Sequence, residues 1–79
     1  MFDFIVDGGH GWLKVDVKKF PFAKQFADGY GYKRGNFVYL EEDCQAPKFI
    51  AEFQKRGGEF ICNEVYVGDE WVGRNWNRF

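Results

Sequence analysis

The sequence predicts an α+β domain: a small, mostly antiparallel sheet of five or six strands with one main helix, about residues 46–56, packed on one face. Three observations carry that expectation. Residues 2–17 alternate apolar and polar side chains on both sides of a glycine-rich break, as a hairpin does. Between Tyr32 and Val67, strand, helix and strand signals follow one another. Ten Phe, four Tyr and three Trp give a chain of 79 residues the large side chains that a single small core needs. One domain, 1–79, is therefore expected.

Phe2-Asp3-Phe4-Ile5-Val6-Asp7 reads as a strand with Phe2, Phe4 and Val6 inward. Gly8-Gly9-His10-Gly11 supplies the turn. The partner strand places Leu13, Val15 and Val17 on one face and Trp12, Lys14 and Asp16 on the other, so Trp12 falls on the polar side. Pro21 forbids a continuous helix and suits the first turn of a short one over Phe22–Ala27, which Gly29 and Gly31 break. Tyr30 and Tyr32 then lead into a second hairpin that turns near Arg34-Gly35-Asn36 and continues as Phe37-Val38-Tyr39-Leu40.

The main helix follows an acidic corner, Glu41-Glu42-Asp43, whose charges suit the positive end of the helix dipole; Asp43, or Ala46 if Pro47 opens the helix, is the expected N-cap. Ala46, Phe49, Ile50 and Phe53 form one stripe, Glu52 stands one turn before Arg56, and Gly57-Gly58 ends the helix. Glu59–Val67 is apolar on both faces, with Phe60, Cys62 and Tyr66 against Ile61, Val65 and Val67, which predicts a strand covered on both sides. Gly68-Asp69 turns toward a further strand pattern, Glu70-Trp71-Val72, and the tail 73–79 is basic and aromatic at once.

Eleven basic and twelve acidic residues leave a net charge of -1, which argues against nucleic-acid binding by charge alone and against wholesale DNA mimicry. Met1–Gly9 carries two aspartates and no basic start, unlike a signal peptide, and no apolar run has the length of a membrane span; a cytoplasmic protein is expected. The two cysteines do not suit a disulfide. A helix to Gly57 carries the chain ~20 Å from Cys44 at ~1.5 Å per residue, and the following strand recovers only ~13 Å before Cys62 at ~3.3 Å per residue. Two buried free thiols in a reducing compartment are the expectation.

No catalytic set is complete. His10 is the single histidine and lacks an orienting partner; with distant cysteines it offers no zinc spacing. Glu41, Glu42 and Asp43 fit helix capping better than a cation site or a carboxylate pair, so neither a metal nor a cofactor is expected. An enzyme using His10 with this acidic corner is the third-ranked reading. Arg34-Gly35-Asn36-Phe37-Val38-Tyr39 resembles in part the signature of the RNA-recognition motif, although Asn36 stands in the first aromatic place and the spacing is short. That likeness makes single-stranded nucleic-acid binding the second reading, through Tyr30, Tyr32, Lys33, Arg34, Phe37, Tyr39 and the basic tail.

Two stretches, Gly9-His10-Gly11-Trp12-Leu13-Lys14-Val15 and Tyr39-Leu40-Glu41-Glu42-Asp43-Cys44-Gln45-Ala46-Pro47-Lys48-Phe49, resemble small uncharacterised proteins of bacterial phages and mobile elements, with Gln45 where those carry Asp. The resemblance covers about a third of the chain. It implies an accessory protein that binds and inhibits a host or defence protein, as anti-CRISPR proteins do. The leading expectation is thus a non-enzymatic protein-binding module. Its contacts are expected at Trp12, Arg74, Trp76, Arg78 and Phe79, the Trp-and-Arg mixture in which binding hot spots are enriched.

Overall fold

The computed structural model describes residues 1–26, 32–43 and 45–68. It has a five-stranded, mostly antiparallel sheet with one main helix, an α+β fold. Strands β1 (Phe2–Val6) and β2 (Gly11–Asp16) form the first hairpin, with Val6 opposite Gly11 and Phe4 opposite Leu13. Its turn is organised by Asp7, which is buried: the Asp7 N–H donates to the His10 carbonyl at 3.0 Å. The Asp7 Oδ1 accepts the N–H groups of Gly9 and His10, each at 2.9 Å. A short acidic side chain thereby satisfies donors that a glycine loop would leave to solvent.

Strands β3 (Tyr32–Arg34) and β4 (Phe37–Glu41) make the second hairpin at the expected place. Gly35 takes φ +59° at the first position of the loop, the conformation that a two-residue hairpin turn with leading glycine requires. Between the hairpins lies a 3-10 helix, Pro21–Phe26, which proline opens as predicted.

Helix α1 (Gln45–Lys55) follows β4. Ala46 and Phe49 are buried and Ile50 and Phe53 pack beside them, as the stripe predicted. Its end is a glycine cap in which the Gly57 N–H donates to the Gln54 carbonyl at 2.9 Å and the Gly58 N–H to the Phe53 carbonyl at 3.0 Å. Glu52 meets Arg56 at 2.8 Å, and the Arg56 guanidinium lies 4.1 Å from the centre of the Phe22 ring, tying the helix end to the 3-10 helix.

Strand β5 (Cys62–Tyr66) runs parallel to β1, giving the order β3-β4-β2-β1-β5. Because β1 and β2, and β2 and β4, are antiparallel, β4 and β5 point the same way, and α1 carries the chain between them across β2 and β1. The core under the helix joins Phe2, Leu13, Val15, Val38 and Leu40 to Ala23, Ala46 and Phe49. Phe2 is its hub, with ring centres at 5.3 Å from Phe20, 5.6 Å from Phe49, 5.1 Å from Phe53 and 5.4 Å from Phe60. The other sheet face carries a second cluster of Ile5, Trp12, Tyr32 and Tyr39, with Phe37 and Val65 against it.

The expectation of a doubly covered strand over Glu59–Val67 is corrected. Only Cys62–Tyr66 of this segment is a strand; among the described strands it lies at the sheet edge, with Ile61, Cys62, Asn63, Glu64, Tyr66 and Val67 exposed. The helix packs chiefly on the 3-10 helix and β4, not on β5. Cys62 is accordingly an exposed thiol, not the buried one expected; Cys44 lies outside the described residues, as does the strand expected at 70–72. Among the described residues no helix is long and apolar enough to cross a membrane.

Candidate functional site

Of the expected contact residues, Trp12 alone lies among the described residues. Trp12 occupies the predicted sheet face but is only 2 % exposed, with its ring 6.0 Å from Tyr32 and 6.1 Å from His10. Alternation placed it correctly opposite Leu13; burial makes it part of the second cluster, not a surface contact. Arg74, Trp76, Arg78 and Phe79 lie outside the described residues.

The residues of the nucleic-acid reading separate by chemistry. Lys33 and Arg34 are exposed, whereas Tyr32 and Tyr39 are buried and Phe37 is half-buried under the Lys14 ammonium, 4.3 Å from its ring centre. Rings sunk in a cluster offer no free face to a base, which stacking requires. Burial raises the Tyr39 hydroxyl above its ordinary value, an effect that the nearby Arg34 charge partly opposes. Tyr30 lies outside the described residues.

The acidic corner is held by its own backbone. The Asp43 N–H donates to Glu41 Oε2 at 3.1 Å, and the Glu41 N–H to Oε1 of the buried Gln45 at 3.0 Å. The Glu42 N–H donates to the Gly11 carbonyl at 3.1 Å, linking the corner to the first hairpin. With α1 starting at Gln45, Asp43 is not the residue before the helix, and that position falls on Cys44, outside the described residues. Among the described residues no group of three His, Cys, Asp or Glu side chains could hold a metal ion. An open cleft of about 390 Å³ at one end of the sheet mixes Lys14 and Lys19 with Asp3, Asp16 and Glu59 around Phe2 and Phe20. His10 does not line it.

The surface that departs most from an ordinary one is the β5 edge. Tyr66 is 64 % exposed, Ile61 52 % and Val67 39 %, although the phenylalanines of the helix-covered face are buried or half-buried. The Phe2 N–H donates to the Ile61 carbonyl and the Val67 N–H to the Val6 carbonyl, both at 2.9 Å. Strand alternation between these two bonds turns the peptide groups of Asn63 and Val65 toward β1 and those of Cys62 and Glu64 to the outer edge. Apolar side chains and outward peptide groups together make a template for another strand. The apolar run Phe60–Val67 marked this segment in the sequence, and Asn63-Glu64 at its middle, incompatible with burial on both faces, was the signal of an edge.

No family model matches the chain, and neither a curated protein nor a solved structure does.

Proposed function

We propose that this chain is a non-enzymatic protein-binding module whose partner adds an extended segment to the β5 edge. The observation that carries the reading is the exposed apolar edge strand, with Ile61, Tyr66 and Val67 in solvent beside the outward peptide groups of Cys62 and Glu64. Soluble domains ordinarily blunt such an edge with lysine, proline or a covering element. Between Gly57 and Gly68 there is no Lys, Arg or Pro. The likeness to phage and mobile-element proteins supports a host or defence protein in the bacterial cytoplasm as the partner class, and inhibition by occupation as the mode.

The test blocks the edge without touching the sheet. Proline at position 62 removes an outward N–H and places a ring where an added strand would lie, while the bonds to β1 come from the neighbouring residues. Tagged wild-type protein and the Cys62→Pro variant are compared in capture from bacterial lysate. The expected outcome is a protein retained by the wild type and lost with Cys62→Pro, at unchanged circular dichroism. Equal retention by both forms, or retention of nucleic acid alone, overturns the reading.

A further inference from the structure

The β5 border of the sheet is acidic. From Phe2 to Asp7 and from Gly57 to Gly68 the charged side chains are Asp3, Asp7, Glu59 and Glu64, with no lysine or arginine among them. One of these acids is already engaged, Asp7 in the hairpin turn, while Asp3 stands opposite Lys14 in the β1–β2 register. Glu59 and Glu64 are exposed and make no ion pair among the described residues. Glu64 is also one of the residues whose peptide groups point outward, so the strand residue that would pair with it lies directly across, on the same sheet face. Beside it, Ile61, Val65 and Val67 put apolar side chains on the opposite face of β5.

From these positions, and resting on the edge reading above, we infer that the segment recognised is an extended peptide with a lysine or arginine flanked by apolar residues. The basic side chain pairs with Glu64, and its two neighbours in the peptide pack along Val65 and the adjoining apolar side chains. Opposite charges across a ladder are favourable and like charges directly opposite are unfavourable. A second copy is the poorer occupant for that reason, because a two-fold axis at the middle of β5 sets Glu64 against Glu64. The β3 edge differs in sign, with Lys33 and Arg34 exposed, so recognition at the two sheet borders is opposite in charge.

The probes are two blocked heptapeptides, one alternating valine with lysine and one alternating valine with glutamate, titrated into the full chain and followed by amide chemical shifts. The lysine peptide is expected to shift the Cys62 and Glu64 amides and to bind at least tenfold tighter than the glutamate peptide at low salt. Glu64→Lys should reverse the order of the two peptides, with Glu59→Lys as a second exposed variant that weakens the lysine peptide less. Equal binding of the two peptides that is lost with Cys62→Pro overturns the charge inference and leaves the edge reading standing. No shift at Cys62 or Glu64 with either peptide, or a preference that survives Glu64→Lys, also overturns the inference. Sedimentation at the same concentrations identifies self-association, and a dimer displaced by neither peptide would replace the peptide with a second copy.

Discussion

The two ends of the sheet are built from similar residues and reach opposite outcomes. Toward β4, the helix and the 3-10 helix form a roof, and Leu13, Val15, Leu40 and Phe49 are buried beneath it. The run Phe60–Val67 around β5 is also largely apolar, yet Ile61, Tyr66 and Val67 stand in solvent. Hydrophobicity alone therefore does not decide burial here; the position of an eleven-residue helix does. Among the described residues there is one such roof, and a sheet of five strands is wider than it.

The contrast is broken or sharpened first by truncation. Phe49→Ala removes a fully buried ring that stacks on Phe22 at 5.3 Å and should cost about 3–5 kcal/mol. Since small domains have only ~5–15 kcal/mol in hand, that variant should be close to unfolding. Ile61→Ala should change stability by only about 0.5 kcal/mol. Urea denaturation of both gives the comparison, and similar midpoints would show that the roofed side is not where stability resides.

A smaller effect is expected from Gly11→Ala. A Cβ there would stand 2.5 Å from Phe4 Cε2 and 2.7 Å from Cζ, so the ring, packed against the core, must shift at a cost of about 1–3 kcal/mol. Combining it with Phe4→Leu should recover part of the loss in the same measurement. Additive losses would mean that the ring is not the obstacle.

The smallest effect is a pH dependence of the second cluster. Burial holds the Tyr39 hydroxyl above its ordinary value, so the folded state prefers the protonated form. That contribution is fully present below the ordinary value, about pH 10, and is lost as pH rises through the raised one. Melting temperatures should therefore fall above pH 10 less steeply in Tyr39→Phe than in the parent. Parallel curves would remove Tyr39 as the cause.

Local features were legible in the sequence because their causes are local. The stripe Ala46, Phe49, Ile50, Phe53 needs only helical periodicity, and Gly57-Gly58 and Gly35 mark positions where the backbone adopts or prepares unusual φ. The Glu52–Arg56 pair follows from spacing alone. What was not legible depends on distant neighbours. Alternation put Trp12 on the right face but could not tell that this face is a second cluster. The apolar run at Phe60–Val67 gave no sign of which strand it would join, and pairing with β1 left it unroofed, exposing Cys62 as well. The exposure of β5 was thus not legible from the run, even though Asn63-Glu64 interrupted it.

The pairing of β1 with β5 also orders the birth of the fold. Phe2 meets Cys62, so the first strand finds this neighbour only after the other described strands have been made. The β1–β2 hairpin closes through Asp7 within a few residues, whereas the parallel pair must wait for a large loop to be drawn together. Of the described strands, β5 is thus the natural last arrival, and the first to leave in partial opening. When it leaves, the newly bare edge belongs to β1, which carries the hub ring of Phe2; a bound partner strand would hold that door shut.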